Sequence, residues 1–291
     1  MSAPAASASR GRTAIVIGAG GGVGKVIARR LIAEGMRVIG TVSASDREAG
    51  LRDEIPRLER VATLDLADGE SAARTVDHLC SEHGAVDVVI VAAAAHIAAP
   101  LENTALGRFR RIFEINCLSC LATYQAAIPY LRKTQGRLVF VSSVTGRVGS
   151  VMQGAYAATK FGLEGMADVM RQELLGSGVR IVLVEPGGID TPMVRTALAQ
   201  GRSDRDALSA YLRHHYDQLY EAFDRNVADA LEGGRLTSPD SVAEVVVAAV
   251  NAPEPDARYV VGDDAKFLID AADSMTTAQL DELLVSAFRN A

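Results

Sequence analysis

Short apolar runs alternate along the chain with longer segments whose apolar residues recur at helical spacing. Thr13–Ile17, Arg37–Val42, Arg60–Leu64, Val86–Val91, Arg137–Val141 and Arg180–Val184 are rich in Val, Ile and Leu. Continuous runs of this kind suit strands of a parallel sheet covered on both faces. Between them, Gly24–Glu34, Gly69–Glu82 and Phe109–Arg132 carry the spacing of amphipathic helices. Strand followed by helix, repeated in this way, predicts an α/β chain with a doubly wound, Rossmann-type parallel sheet. Arg258–Val261 is a weaker apolar run and a candidate last strand.

The regularity breaks after Pro192. Arg202–Gly233 is a long, polar-rich amphipathic segment carrying Tyr211, Tyr216, Tyr220 and Phe223. Thr237-Ser238-Pro239 then reads as a turn and the start of a helix over Ser241–Val250. An insertion at the carboxyl end of a strand lies over the crevice where open α/β sheets bind ligands. It is equally the place for a packing helix pair. The expected organisation is a disordered tail over residues 1–12 and one domain over 13–291, with substrate-loop helices in 191–235.

Composition narrows the function classes. The 291 residues include 30 Lys plus Arg against 36 Asp plus Glu, a formal net charge of −6. That balance offers no basic field to a nucleic-acid backbone. Cys80, Cys117 and Cys120 are too few and too irregular for a disulfide framework or a zinc site, so no metal is expected. No segment approaches the ~20 apolar residues of a membrane span, and the N-terminus lacks the apolar stretch of about 7–15 residues of a secretion signal. A cytoplasmic protein without membrane partners is the expectation.

Candidate chemistry begins at Ile17-Gly18-Ala19-Gly20-Gly21-Gly22-Val23-Gly24-Lys25. Glycines between a strand and a helix let a pyrophosphate approach backbone N–H groups at the helix amino end. Gly18, Gly22 and Gly24 fit a GxxxGxG spacing, while Gly18, Gly21 and Gly24 fit GxxGxxG; the loop alone does not choose. Tyr156 and Lys160 stand at i and i+4, which puts both on one helix face with Cβ atoms about 5–6 Å apart. A phenol is a poor base at neutral pH, and a nearby ammonium favours its ionised form. Lys occurs only at 25, 133, 160 and 266, so an ammonium at this position departs from the chain's habit of using Arg. Ser143 ends a strand and can donate to a carbonyl oxygen in the same crevice. Asn116 lies in an apolar helical segment, where Asn is an indifferent helix former. His96 follows the alanine run and is placed to line the crevice, although a lone His reads more often as an ordinary polar or packing residue. Cys117 and Cys120 read as core.

On the glycine loop, Asn116, Ser143 and the Tyr156-x-x-x-Lys160 pair, the chain resembles the short-chain dehydrogenase/reductase family over nearly all of Arg12 to Val261. Lys160–Leu175 and Arg258–Lys266 are similar to the branch of retinol, hydroxysteroid and 3-hydroxybutyrate dehydrogenases. The resemblance implies that Tyr156 exchanges the proton with the substrate oxygen and Ser143 orients the carbonyl. Lys160 would lower the pKa of Tyr156 and hold the nicotinamide ribose, and Asn116 would hold a water in a relay reaching Lys160. Gly18, Gly20, Gly21, Gly22, Val23 and Gly24 would cradle the dinucleotide. Asp65 and Leu66 would face the adenine, and Ala92, Ala93 and Ala94 would border the cofactor. Pro186 and Gly187 would lead into Ile189 and Thr191, which hold the nicotinamide carboxamide. One departure is Ala92-Ala93-Ala94-Ala95, where the family has Asn-Asn-Ala-Gly. The absent amide bonds, worth about 0.5–1.5 kcal/mol each, leave local rigidity and cofactor contacts without their usual support.

The implied reaction is hydride transfer between a nicotinamide dinucleotide and a secondary alcohol or ketone. The aromatic and apolar side chains of Ala207–Phe223 suggest a lipophilic or aromatic substrate. The family's NAD-selecting acid falls on Val42, and Ser43 and Arg47 are placed to meet a 2′-phosphate. Lys25 adds charge nearby, and Asp46 is the residue that would argue for NAD. NADP is therefore expected over NAD. Phe109–Arg132 and Ala155–Gly176 resemble helices that pair between subunits in this family, which implies a homodimer or homotetramer. The rival readings are a non-catalytic dinucleotide sensor or scaffold on the same fold, and an epimerase or dehydratase of the extended group.

Overall fold

Each of the predicted runs becomes a strand, as does Arg258–Val261. The structure is a computed structural model that describes residues 11–289, so most of the expected tail lies outside the described residues. The strands are β1 (Thr13–Ile17), β2 (Arg37–Val42), β3 (Arg60–Thr63), β4 (Val88–Val91), β5 (Arg137–Val141), β6 (Arg180–Pro186) and β7 (Arg258–Val261). They form one seven-stranded sheet in the order β3-β2-β1-β4-β5-β6-β7, with every neighbouring pair parallel. The order reverses beside β1, which opens a crevice at the carboxyl ends of β1 and β4.

All five residues of β1 are buried, because both faces of the sheet are covered. Ala14 and Val16 join a core built with α1 (Gly22–Ala33) and α9 (Pro239–Asn251), including Ile27, Leu31 and Val246. Ile15 and Ile17 face the other way, against α3 (Gly69–His83), α5 (Ser119–Thr134) and α6 (Gly154–Glu173) through Val76, Leu131 and Leu163. The strand period of two assigns alternate residues of a single run to two different cores. The remaining helices are α2 (Glu48–Glu54), α4 (Leu106–Phe113), α7 (Pro192–Asp206), α8 (Ala210–Glu232), α10 (Asp263–Ser274) and α11 (Thr277–Arg289).

One expectation needs correction. Phe109–Arg132 is not one regular helix, since a π-helical turn over Glu114–Leu118 separates α4 from α5. The pitch gives way around Asn116, whose buried side chain is drawn to the backbone of Ala95. Arg202–Gly233 is divided between two helices. Helix α7 begins at Pro192, and Ser209 opens α8 by accepting a hydrogen bond from the Leu212 amide at 3.3 Å. Leu208 at the break is buried in a third apolar cluster with Ile97, Tyr156 and Tyr220.

Candidate active site

The glycine loop is shaped by contacts that exclude side chains. Gly18 has φ +86°, and a Cβ there would stand 2.6 Å from the Cβ of Ala93. Its amide donates to the buried hydroxyl of Thr41 at 3.1 Å, which ties the loop to β2. A Cβ on Gly24 would lie 2.2 Å from the Gly18 carbonyl oxygen, so the first turn of α1 rests directly on the loop. No side chain caps the amino end of α1. A glycine cradle against an uncapped helix amino end fits a pyrophosphate, whose charge the helix dipole favours. Ala93 takes part by packing against Gly18, and Ala92 donates its amide to Ile17 O at 2.9 Å.

Helix α6 carries Tyr156 and Lys160 one turn apart, and both are nearly inaccessible at 9% and 2%. The Lys160 ammonium lies 5.6 Å from the centre of the Tyr156 ring and donates to Val141 O, at the end of β5, at 3.0 Å. The strand end thus fixes an ammonium beneath the phenol. Ser143 follows β5. Its Oγ accepts from the Thr145 amide at 3.1 Å and donates to Thr145 Oγ1 at 3.2 Å, which in turn meets Gln153 Oε1 at 3.3 Å. Asn116 has both ends of its amide on Ala95, with Ala95 N and Ala95 O each at 2.8 Å, and it also donates to Thr159 Oγ1 at 3.1 Å. Its side chain therefore holds the strand-exit backbone where the departure from Asn-Asn-Ala-Gly falls.

Ser143 and Tyr156 share a cavity of about 290 Å³ with Gly187, Ile189 and Thr191. Much of its apolar lining comes from Met193 and Leu198 of α7, Phe223 and Val227 of α8, Leu268 of α10 and Leu284 of α11, with Val144 and Val148 beside Ser143. His96, Gln153 and Asp264 also line it, and sequence reasoning assigned a site role to none of the three. The His96 ring centre is 4.6 Å from that of Tyr156. Burial pushes the imidazole pKa down to about 4, against a hydrogen bond to Gln153 and with help from the Lys160 charge, so His96 faces the cavity neutral at pH 7. The periodicity of β4 carried no signal for it, because His96 lies beyond the strand's end.

The expected positions near the adenosine do not line this cavity. Asp65 is exposed at the end of β3, accepting from the Ala67 amide at 2.9 Å, while Leu66 beside it is buried. Val42 is buried where a selecting acid would stand, and Ser43 and Arg47 are exposed just beyond it. Lys25 corrects the charge reading. Its ammonium is paired with Glu54 at 2.6 Å, so its charge is matched within the protein. The three cysteines are free and buried, and burial holds the Cys80 and Cys120 thiols up at about 12.

Behind the site lies a charge cluster that the sequence did not disclose. Glu185, fully buried on β6, faces Arg258 at 3.0 Å and Arg147 at 3.5 Å. Arg258 also binds Glu164 and Asp168 of α6, at 3.1 and 2.7 Å. Burial, then the charge of Glu164, raises the Glu185 pKa to about 7, although both arginines oppose the shift. The folded form therefore holds this proton more tightly than the unfolded chain does. The resulting stability is full below the usual carboxylate range and is lost as pH rises through about 7. Between pH 5 and 8, urea midpoints of the wild type should fall by the equivalent of about 1–3 kcal/mol from this group. Glu185→Gln should flatten that slope, and an unchanged slope would refute the assignment.

A family model for the short chain dehydrogenases matches residues 12–201. The chain belongs to that family. Human retinol dehydrogenase 16 is 30% identical to this short-chain dehydrogenase over 281 residues, covering 94% of this chain and 88% of the relative. The 3-amino-tetrahydro-pyrrolizinone reductase of Xenorhabdus hominickii is 26% identical, covering 93% and 94% respectively. Among solved structures, a short-chain dehydrogenase from Streptomyces avermitilis superposes with a TM-score of 0.76 at 22% identity, covering 95% of this chain and 97% of that one. A Burkholderia cenocepacia short-chain dehydrogenase solved with NADP gives 0.71 at 22% identity, covering 94% and 98%. Membership in this family makes the chain an oxidoreductase of small molecules that uses a nicotinamide dinucleotide. No described helix is long and apolar enough to cross a membrane.

Proposed function

We propose that this short-chain dehydrogenase interconverts a lipophilic or aromatic ketone and its secondary alcohol with NADP(H). The observation that carries this reading is the shared cavity in which Ser143 and Tyr156 face an apolar wall, with the Lys160 ammonium buried beneath the phenol. The glycine loop would hold the dinucleotide at one end and Ile189 and Thr191 at the other, and when bound it would supply or accept the hydride. The remaining chemistry belongs to the protein. Tyr156 gives a proton to the substrate oxygen in reduction and takes it back in oxidation. Ser143 donates to the same oxygen, and that bond matters most as negative charge develops there. Lys160, pinned by Val141 O, keeps a positive charge close to the phenol. Asn116 acts as a positioning residue through Ala95 and through the turn that carries it.

An apolar cavity of about 290 Å³ in the described residues suits a small ketone with a hydrocarbon or aromatic body. The test is turnover of NADPH with a panel of such ketones, in which acetophenone-type compounds should be reduced. Absence of turnover with every ketone, while the dinucleotide still binds, would leave the protein a dinucleotide sensor or scaffold.

The NADP preference rests on Val42, which brings no carboxylate to the adenosine ribose, and on exposed Ser43 and Arg47 beyond it. With Lys25 paired to Glu54, Arg47 carries more of the argument. Wild-type kcat/KM should be higher with NADPH than with NADH, and Arg47→Ala should erase on the order of tenfold of that preference. Equal use of both dinucleotides by the wild type would overturn it. A cytoplasmic homo-oligomer is part of the same reading. Leu118 beside α5 and Phe161 and Val169 on α6 are exposed apolar residues on the helices expected to pair between subunits. Light scattering at micromolar concentration should return a dimer or tetramer.

A further inference from the structure

Asp264 stands in the first turn of α10, far in sequence from the catalytic residues, yet it lines the same cavity. Its Oδ2 accepts from the Gly188 amide at 2.8 Å. The carboxylate occupies the space that a side chain at residue 187 would need, since a Cβ on Gly187 would lie 2.2 Å from each of its oxygens. Glycine at 187 and carboxylate at 264 are a matched pair, each possible because of the other. Backbone bonds hold the loop on its other side, and the Ser143 hydroxyl donates to Pro186 O at 3.5 Å. Gly187 donates to Val261 O at 3.0 Å, Thr237 donates to Gly188 O at 2.8 Å, and Asp190 donates to Thr237 O at 3.1 Å. No side chain caps the amino end of α10, so its dipole favours the charge of Asp264 without a cation. Directly after this clamp comes Ile189, and two residues later Thr191.

We infer that Asp264 is a positioning residue for the nicotinamide half of the cofactor site, its carboxylate setting the Pro186–Thr191 loop at the height where Ile189 and Thr191 meet the ring. The inference rests on the dinucleotide reading given above. It requires that loss of the clamp harm one half of the ligand and spare the other. Among the described residues, no hydrogen bond or ion pair joins Asp264 to the glycine loop or β2, which would hold the adenosine half.

The experiment measures affinity for NADPH and for 2′-phospho-ADP-ribose, which lacks the nicotinamide. Asp264→Ala should weaken NADPH binding by roughly tenfold, with 2′-phospho-ADP-ribose changed by less than about twofold. Asp264→Asn should restore most of the NADPH affinity, because the amide oxygen still accepts from Gly188. Gly187→Ala should weaken NADPH binding in the wild type and cost far less in the Asp264→Ala background, where the space is vacated. Asp264→Ser serves as the truncation if Asp264→Ala does not fold. Equal losses on both ligands, an Asp264→Asn variant as weak as Asp264→Ala, or a Gly187→Ala effect independent of residue 264 would each overturn the inference. A wild type that binds 2′-phospho-ADP-ribose and gains nothing from the nicotinamide would overturn it too. Failure of the wild type to bind either ligand would instead bring down the NADP reading beneath it.

Discussion

Replacing Tyr156 with phenylalanine should lower kcat by at least ~10²-fold, with the fold and dinucleotide affinity retained. Only the phenolic oxygen is removed. The ring keeps its contact with His96 at 4.6 Å and its place in the cluster with Ile97 and Tyr220. The fall belongs in kcat because the proton is transferred only as the substrate carbon gains or loses hydride. Circular dichroism and thermal melting of the variant check that the fold survives, and steady-state kinetics with the best ketone of the panel read the effect. Turnover near that of the wild type would remove Tyr156 from the chemistry and leave Ser143 as the residue to test next.

Gly24→Ala is expected to weaken dinucleotide binding by on the order of 10–100-fold. A methyl group at that position meets the Gly18 carbonyl oxygen at 2.2 Å and its carbon at 2.8 Å. Both are backbone atoms of a loop already tied to Thr41, so relief requires the loop and the first turn of α1 to move apart. That motion withdraws the N–H groups from a pyrophosphate. Gly50→Ala in α2 is the control outside the cradle, because nothing lies within 4 Å of a Cβ there. The comparison is read by nicotinamide fluorescence on titration. Equal, mild effects from both substitutions would mean that the cradle is not the pyrophosphate site.

The sheet was legible because parallel strands covered on both faces leave uninterrupted apolar runs, and β1, β4 and β5 are written that way. Tyr156 and Lys160 were legible because a helix brings residues four apart onto one face whatever surrounds them. Asn116 gave a partial signal, as an amide in an apolar helix is out of place. Its partner Ala95 lies on another segment, so the π-helical turn could not be read locally. Asp264 and Glu185 gave none. Each depends on a meeting of distant segments, the first with a glycine pair after β6 and the second with Arg147 and Arg258. The pairing of Lys25 with Glu54 was hidden for the same reason, and it removed a charge on which the NADP argument had drawn. His96 lay outside any periodic element, so only the cavity revealed its neighbour Tyr156.

The division of the cavity wall has an evolutionary consequence. Ser143, Tyr156 and Lys160 come from one contiguous stretch of chain, β5 through α6, whereas Met193, Leu198, Phe223, Val227, Leu268 and Leu284 come from helices after β6. Selectivity and chemistry can therefore drift at different rates. Grafting the segments 192–236 and 263–289 together from a relative should transplant that relative's substrate range onto an untouched proton-transfer apparatus. Grafting either one alone would leave half a wall facing its former complement.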